Sequence, residues 1–254
     1  MFFRDFDKVF TVPVEFNRFL DIEHFVPQCA SINVAGKLYI SGGLTTKNEA
    51  SSSFLIFDPN NETLVGLPDL PTPRYSHSMI CHNGFIYFVG GNTQVVEKYE
   101  IASQKFTKLC PLQVVERKYP ILYVHNNFLY AFFGKSKDAY IDSIEKVNLK
   151  NQKSKWEYVM YKTSGSDINL KMYGAGILPS GEGQILFCGG KTANGVSQAC
   201  INYDFANFIF KPWPSARFEE GMYFGESVLI DLEDGNFGHF NINKKDNFFK
   251  ASIE

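Results

Sequence analysis

Between Arg74 and Leu112 the chain alternates short apolar stretches, at 78–81, 85–89, 95–99 and 105–109, with turn-forming residues. None is long enough for a helix, and breakers bound each one, so the pattern predicts four strands. Asn83-Gly84 joins the first two. A two-residue type I′ hairpin needs positive φ at both central positions, and Asn-Gly adopts it at little cost. Gly90-Gly91 closes the second stretch. One small four-stranded sheet cannot bury both of its faces alone. Such a unit needs copies of itself.

The copies are present. Gly42-Gly43 follows an apolar stretch at 37–41, and Gly189-Gly190 follows one at 184–188. Chance alone would give roughly one or two Gly-Gly pairs in a chain of this composition, not three that each follow a strand at a blade-like period. Gly134 ends the stretch 128–133 but precedes Lys135, so this copy reads as having lost its second glycine. Tyr75, Tyr119, Tyr173 and Tyr223 each precede a first strand, the first two 15 residues ahead of Gly90 and Gly134. Third strands end on Phe57-Asp58, Tyr99-Glu100, Tyr203-Asp204 and Phe240-Asn241. Leu64, Phe106 and Phe210 follow three of these 7 residues later, while the third copy has Val147-Asn148 and then Trp156.

Arg74 and His77 before a strand, Gly90-Gly91 after the next, then Tyr99-Glu100 and Phe106, form a pattern that resembles the kelch repeat. The repeated structural signature is Gly42, Gly43, Gly90, Gly91, Gly134, Gly189, Gly190, Tyr99 and Trp156. The resemblance implies an all-β propeller, a single domain spanning 1–254, with about five four-stranded blades. The blades fall at approximately 27–73, 74–116, 117–170, 171–220 and 221–254, the last completed by an N-terminal strand at 8–14. Pairing of N- and C-terminal strands would close the ring and remove an exposed edge. The last unit has two readings. Either 227–232, 236–242 and 248–253 are its first three strands and 8–14 its fourth, or 238–242 and 248–252 are strands three and four with strand two deleted.

Charge and composition narrow the function. The net charge is −2 and no basic run occurs, which argues against nucleic acid or anionic lipid as the main partner. Cys29, Cys81, Cys110, Cys188 and Cys200 are odd in number and lack a CxxC pair, so reduced thiols without a disulfide are expected. The first ten residues, MFFRDFDKVF, carry acidic residues where a secretory signal would be apolar. No apolar run is long enough to span a bilayer as a helix. A cytoplasmic protein is expected, with cytoskeletal or ciliary association as a further expectation.

The candidates for chemistry are weak. His77, Cys81 and His82 resemble a metal cluster, but on a strand His82 faces away from the other two. Gly174-Ala175-Gly176 lacks the third glycine and the helix of a dinucleotide site. The segment 180–183 reads as a hairpin loop, and Gly225-Glu226-Ser227 lacks the glycine that would follow a nucleophile elbow. Asp142 and Glu145 would face opposite sides of a strand and read as solvated charge. The resemblance also admits a kelch-type copper oxidase, yet His24, His77, His82, His125 and His239 are scattered. The expectation is no enzyme, no metal and no cofactor.

The resemblance places partner contacts on the loops between strands two and three and on the segments leading into strand one. Here these are 44–52, 92–94, 135–139 and 191–196, joined by Arg74, Arg117, Lys118 and Lys171. The named candidates on the loops are Lys47, Asn48, Asn92, Lys135, Lys137, Lys191 and Asn194. A ring of cations around a mouth would suit an acidic or phosphorylated peptide. The competing reading is that each residue caps its own blade. No BTB, F-box or zinc-finger segment occurs in these residues. The expectation is therefore a protein-interaction scaffold, a subunit of a larger assembly, possible partners being other proteins; a free-standing adaptor is the alternative and a metal oxidase a lesser one.

Overall fold

The computed structural model describes residues 27–61, 63–137, 139–151, 153–165, 168–217, 227–232, 236–241 and 248–252. Strands β1 (Ala30–Val34), β2 (Lys37–Ser41), β3 (Phe54–Asp58) and β4 (Thr63–Gly66) form an antiparallel sheet in sequence order. Strands β5 (Ser78–His82), β6 (Phe85–Val89), β7 (Glu97–Glu100) and β8 (Lys105–Lys108) form the second. The third contains β9 (Ile121–His125), β10 (Phe128–Phe132), β11 (Ile144–Asn148) and β12 (Glu157–Val159). A short strand β13 (Lys162–Thr163) then crosses to the fourth sheet. That sheet is built from β14 (Met172–Gly181), β15 (Gln184–Thr192), β16 (Gly195–Val196), β17 (Ala199–Asp204) and β18 (Ile209–Arg217). β16 extends the edge of β15, and β13 pairs with β18 in parallel.

The first strands lie beside one another, β1 against β5, β5 against β9 and β9 against β14, as in a propeller. The chain is all-β, with four blades in this arrangement and no helix among the described residues. A further antiparallel sheet follows in the order β19 (Ser227–Leu232), β20 (Asn236–Asn241) and β21 (Phe248–Ser252). Each neighbouring pair is bonded, so no strand is missing between β19 and β21. The expected strand at 8–14 lies outside the described residues.

The core sits in the seams between blades. Successive side chains on a strand face opposite ways, so one strand feeds two seams. On β6, Ile86 and Phe88 pack toward blade one, beside Phe54, while Tyr87 and Val89 pack toward blade three, beside Leu129 and Trp156. Between blades three and four aromatic rings pack among aliphatic side chains such as Ile144, Ile185 and Leu170, with Phe132, Phe133, Phe187, Tyr203 and Phe210 all under 2 % exposed. Burial of each such side chain contributes about 1.5–3 kcal/mol.

The glycine register has a physical cause and one correction. Gly90 has φ 75°, and a Cβ there would strike the carbonyl oxygen of Arg117 in the segment entering the next blade. In blade three, Phe132 pairs with Ile121 as Val89 pairs with Ser78. Phe133 therefore holds the first-glycine position, at φ 53°, and Gly134 the second, at φ 114°. This copy has lost its first glycine, not its second.

The cysteines bring a second correction. Cys188 on β15 and Cys200 on β17 lie directly opposite, with Cα atoms 4.2 Å apart, and are joined by a disulfide. Counting cysteines gives no access to strand register, which is what brings these two together. Cys29, Cys81 and Cys110 lie outside this disulfide and are half-buried.

Candidate functional site

The segments entering the blades share one backbone device. Gln28, Ser76, Tyr119 and Gly174 occupy the same register position, ahead of the first strand in blades one to three and inside β14 in blade four, and all have positive φ, at 64°, 55°, 51° and 63°. The Ser76 N–H donates to Gln28 O over 2.8 Å, and the Tyr119 N–H donates to Ser76 O over 2.6 Å. The left-handed conformation thus links one blade's entrance to the next. This register also corrects the tyrosine alignment: Tyr75, Lys118 and Tyr173 are equivalent, and Tyr119 stands one place further on.

One position before those residues come Arg74, Arg117 and Met172, whose carbonyls accept from Gly43, Gly91 and Gly134 respectively. Both arginine side chains are fully buried. Arg74 Nη2 meets Glu97 Oε2 at 2.5 Å, and Arg117 Nη2 meets Glu145 Oε1 at 2.8 Å. Arg117 also donates to Phe133 O, Ser143 O and Ser143 Oγ. Burial lowers the pKa of both guanidiniums, opposed by the facing glutamate. Arg74 and Arg117 are therefore not partner contacts at a mouth; they tie each entering segment to its blade. Glu145, expected to be solvated, is buried because the linker and Arg117 converge on it. Its carboxylate accepts from the N–H of Gln113 at 2.6 Å and of Val114 at 3.4 Å. Glu97 was not singled out by sequence, although it stands two places before Tyr99 as Glu145 stands two before Val147.

Lys171 is exposed and lies one place ahead of the arginine position, which Met172 fills. Lys118 Nζ meets Glu116 Oε1 at 2.9 Å and sits 5.1 Å from the Tyr75 ring centroid. Desolvation opposes its charge, but Glu116 and Tyr75 outweigh that and raise its pKa. Lys135 bridges to both Lys118 and Tyr140 along the backbone, with Nζ 6.0 Å from the Tyr140 ring. Lys191 is half-buried opposite Tyr173 across β14 and β15. Lys47 and Asn48 are exposed in a turn where Thr45 Oγ1 accepts from the N–H groups of Lys47 and Glu49. Asn92 Oδ1 accepts from the Tyr75 N–H at 3.1 Å, and the exposed Asn194 donates its N–H to Thr192 Oγ1. Lys137 is exposed on its loop.

Tyrosines cluster between blades three and four. Tyr119 and Tyr173 stack with centroids 5.2 Å apart and an interplanar angle of 23°, and Tyr140 stacks on Tyr173 at 5.8 Å and 26°. The Tyr140 hydroxyl donates to Thr192 O over 3.0 Å. All three rings are half-exposed. His77, by contrast, is buried in the seam between blades one and two, its Nε2 2.8 Å from Ser41 Oγ. Burial, and secondarily Arg74, hold its pKa well below the ordinary imidazole value. His82 is engaged with Asn83 instead, and Cys81 packs in the core, so the three do not converge. Among the described residues, no group of three or more His, Cys, Asp or Glu is placed to hold a metal ion.

Residues 25–71 match the model of the kelch motif. Kelch-like protein 41a of Danio rerio is 28% identical over 184 residues, covering 66% of this chain and 28% of that protein. Kelch-like protein 40b of Danio rerio is 26% identical over 43% of this chain and 20% of its own length. A kelch domain-containing protein of Sulfurisphaera tokodaii is 33% identical over 25% of this chain and 9% of its own length. The chain thus spans less than a third of the curated relatives it matches. With the repeat register and blade geometry above, these matches support the kelch-repeat β-propeller family.

Proposed function

We propose that this chain is a non-catalytic protein-recognition propeller, presenting its loop face to another protein as a subunit of a larger, cytoplasmic assembly of cytoskeletal or ciliary type. The observation that carries the reading is the seam between blades three and four. There the backbone is fixed by the Lys118–Lys135 and Lys135–Tyr140 bridges, while lysine and tyrosine side chains stay accessible. Rigid scaffolds that hold polar and aromatic side chains on loops suit binding. Size exclusion of native extract, with identification of the chains that co-elute, tests it. A stable large complex supports the subunit reading; a free monomer refutes it and favours the adaptor.

Ring closure belongs to the same proposal. β19–β21 are the first three strands of a fifth blade, and 8–14 supplies the fourth. An open three-stranded sheet would otherwise present an unpaired edge. Deleting residues 1–14 should then cause aggregation or a much lower melting temperature. A monomer with unchanged melting would refute closure by this segment.

A further inference from the structure

Cys188 stands immediately before the first-glycine position of blade four, as Ser41, Val89 and Phe132 do in blades one to three. Each of those residues has a partner at the start of the third strand, and each pair faces the blade that follows. Ser41 pairs with Phe54, and the two meet His77 and Phe88 of blade two. Val89, with Val96 one step beyond the Phe88–Glu97 pair, packs beside Leu129 of blade three. Phe132 pairs with Ile144 and packs on Phe187 of blade four. By the same register Cys188 and Cys200 turn away from blade three, whose seam takes their neighbours Phe187 and Ile201. They face the side on which the next sheet in the chain, β19–β21, would seat. Leu178 and Leu186 share that buried face, with Trp213 packed against it.

The Phe205 N–H donates to Gly183 O, and bonded and non-bonded pairs alternate along an antiparallel ladder. Cys188 and Cys200 are therefore a non-hydrogen-bonded pair, the kind in which side chains come closest. Their Cα atoms, 4.2 Å apart, are drawn inside the roughly 4.5 Å usual at such a site. Packing does not require sulfur here, since blade two fills the equivalent place with Val89 and Val96, both fully buried. Two cysteines add what two valines lack, a covalent link that thiols can open and close. In the cytoplasm proposed above disulfides are rare, and those that form are usually catalytic or redox-sensing.

We propose that the Cys188–Cys200 disulfide is a reversible redox switch that sets how firmly β19–β21 docks on blade four. A low-molecular-weight thiolate attacks one sulfur, forms a mixed disulfide and expels the other cysteine as a thiolate, which takes a proton from water. A second small thiolate then attacks the mixed disulfide, frees the remaining cysteine and leaves as the small-molecule disulfide. Two electrons pass from the small thiols to the protein, and the small disulfide reverses the step. Once the bond opens, the strands can part, and two thiols fill more volume than one disulfide. A closely packed face does not absorb added volume freely, so the sheet seated on it is held less tightly. Both cysteines are buried, so attack needs that face uncovered first. Opening favours reduction, and reduction favours opening. The proposal rests on the reading of β19–β21 as the fifth blade, and not on residues 8–14 completing it.

The test holds the full chain, under native conditions, in buffers spanning reduced to oxidised glutathione. Alkylation and mass spectrometry give the fraction of Cys188–Cys200 bonded, and hydrogen exchange reports the docking of β19–β21. The bond should pass reversibly from closed to open across the series while the chain stays folded. Exchange at 227–252 should be at least about fivefold faster in the reduced form, with β6 and β10 changing less than about twofold. The double variant Cys188→Val with Cys200→Val, which copies blade two, should show no response to glutathione at 227–252. A bond that glutathione cannot open or re-form in the folded chain overturns the proposal. So does equal exchange at 227–252 in the two wild-type forms, a comparison that decides the matter even if the variant fails to fold. A full response surviving in the double variant also overturns it, since another cysteine would be responsible. If exchange is insensitive to glutathione while deleting residues 1–14 lowers the melting temperature, the switch falls and ring closure stands.

Discussion

Replacing Glu145 by isoleucine should be among the most damaging single changes in the chain, and replacing Arg117 by methionine as well should reverse much of the damage. The pair is fully buried, and Glu145 is the counter-charge facing the Arg117 guanidinium. Removing one partner of a buried ion pair costs about 3–5 kcal/mol, because the other charge is left in low dielectric. Glu145 also accepts from the N–H groups of Gln113 and Val114. The two orphaned donors together add roughly 1–3 kcal/mol, since Gln113 is exposed and open to water. The single variant should therefore lose on the order of 4–8 kcal/mol. At about 2–4 °C per kcal/mol for a domain of this size, the melting temperature should fall by roughly 10–30 °C. The double variant reproduces what blade four contains, where Met172 and Ile201 hold the same two positions, both buried. It removes the stranded charge but still leaves the N–H groups of Gln113 and Val114 and Phe133 O without their present partners, a residual cost of about 2–4 kcal/mol. A double-mutant cycle by urea unfolding should show a favourable coupling of at least about 2 kcal/mol. Simple additivity of the two single changes would refute the reasoning.

Gly90→Val should destabilise by several kcal/mol, on the order of 10 °C in melting temperature, because positive φ and the Arg117 carbonyl both reject a branched side chain; melting within a degree or two of wild type would contradict this. His77 is neutral in the folded chain, its pKa held well down by burial, whereas the unfolded chain titrates near about 6.5. Below that pH the unfolded state binds more protons, so stability should fall as pH drops from 7 to 5. The fall should be smaller in His77→Gln, and equal slopes in urea midpoints would remove His77 as the cause. Alkylation under denaturing conditions should label Cys29, Cys81 and Cys110 without reductant, and Cys188 and Cys200 only after reduction. Loss of the disulfide should cost roughly 3 kcal/mol for a loop of this length. Mass spectrometry showing all five cysteines labelled without reductant would refute the bond.

The features legible in the sequence were those written locally. Asn83-Gly84 and the Gly-Gly pairs mark turns by their own conformational freedom, so the strands around them could be placed nearly to the residue. What stayed hidden depends on register between distant strands. Glu97 lies 23 residues from Arg74, and Glu145 lies 28 from Arg117, so neither ion pair has a local signal. Cys188 and Cys200 look like isolated buried thiols until β15 and β17 are aligned. The glycine rule failed at Phe133 because a buried aromatic can hold a left-handed backbone when the surrounding packing outweighs its strain. Lys171, expected beside Arg74 and Arg117 at the blade entrances, stands one place ahead of their equivalent, Met172, which strand register alone reveals.

That substitution shows what the buried pairs do. Stability alone does not demand an Arg–Glu pair, since an apolar pair of suitable volume often serves as well. Blade four uses one, so the reason for the ion pairs in blades two and three lies in what the carboxylates hold besides arginine. Glu145 takes the linker N–H groups of Gln113 and Val114, and Glu97 takes the Thr72 hydroxyl on the preceding linker. The linker into blade four has another support. Lys162 and Ser164 donate their N–H groups to Phe208 O and Phe210 O, and β13 joins the edge of β18. Where a linker is held by strand pairing, the carboxylate has no N–H groups left to collect. A buried acid without that task carries only its desolvation cost. Replacement of the pair by methionine and isoleucine is then the expected outcome, and the ion pairs are best understood as clamps on the segments that lead to each blade's mouth.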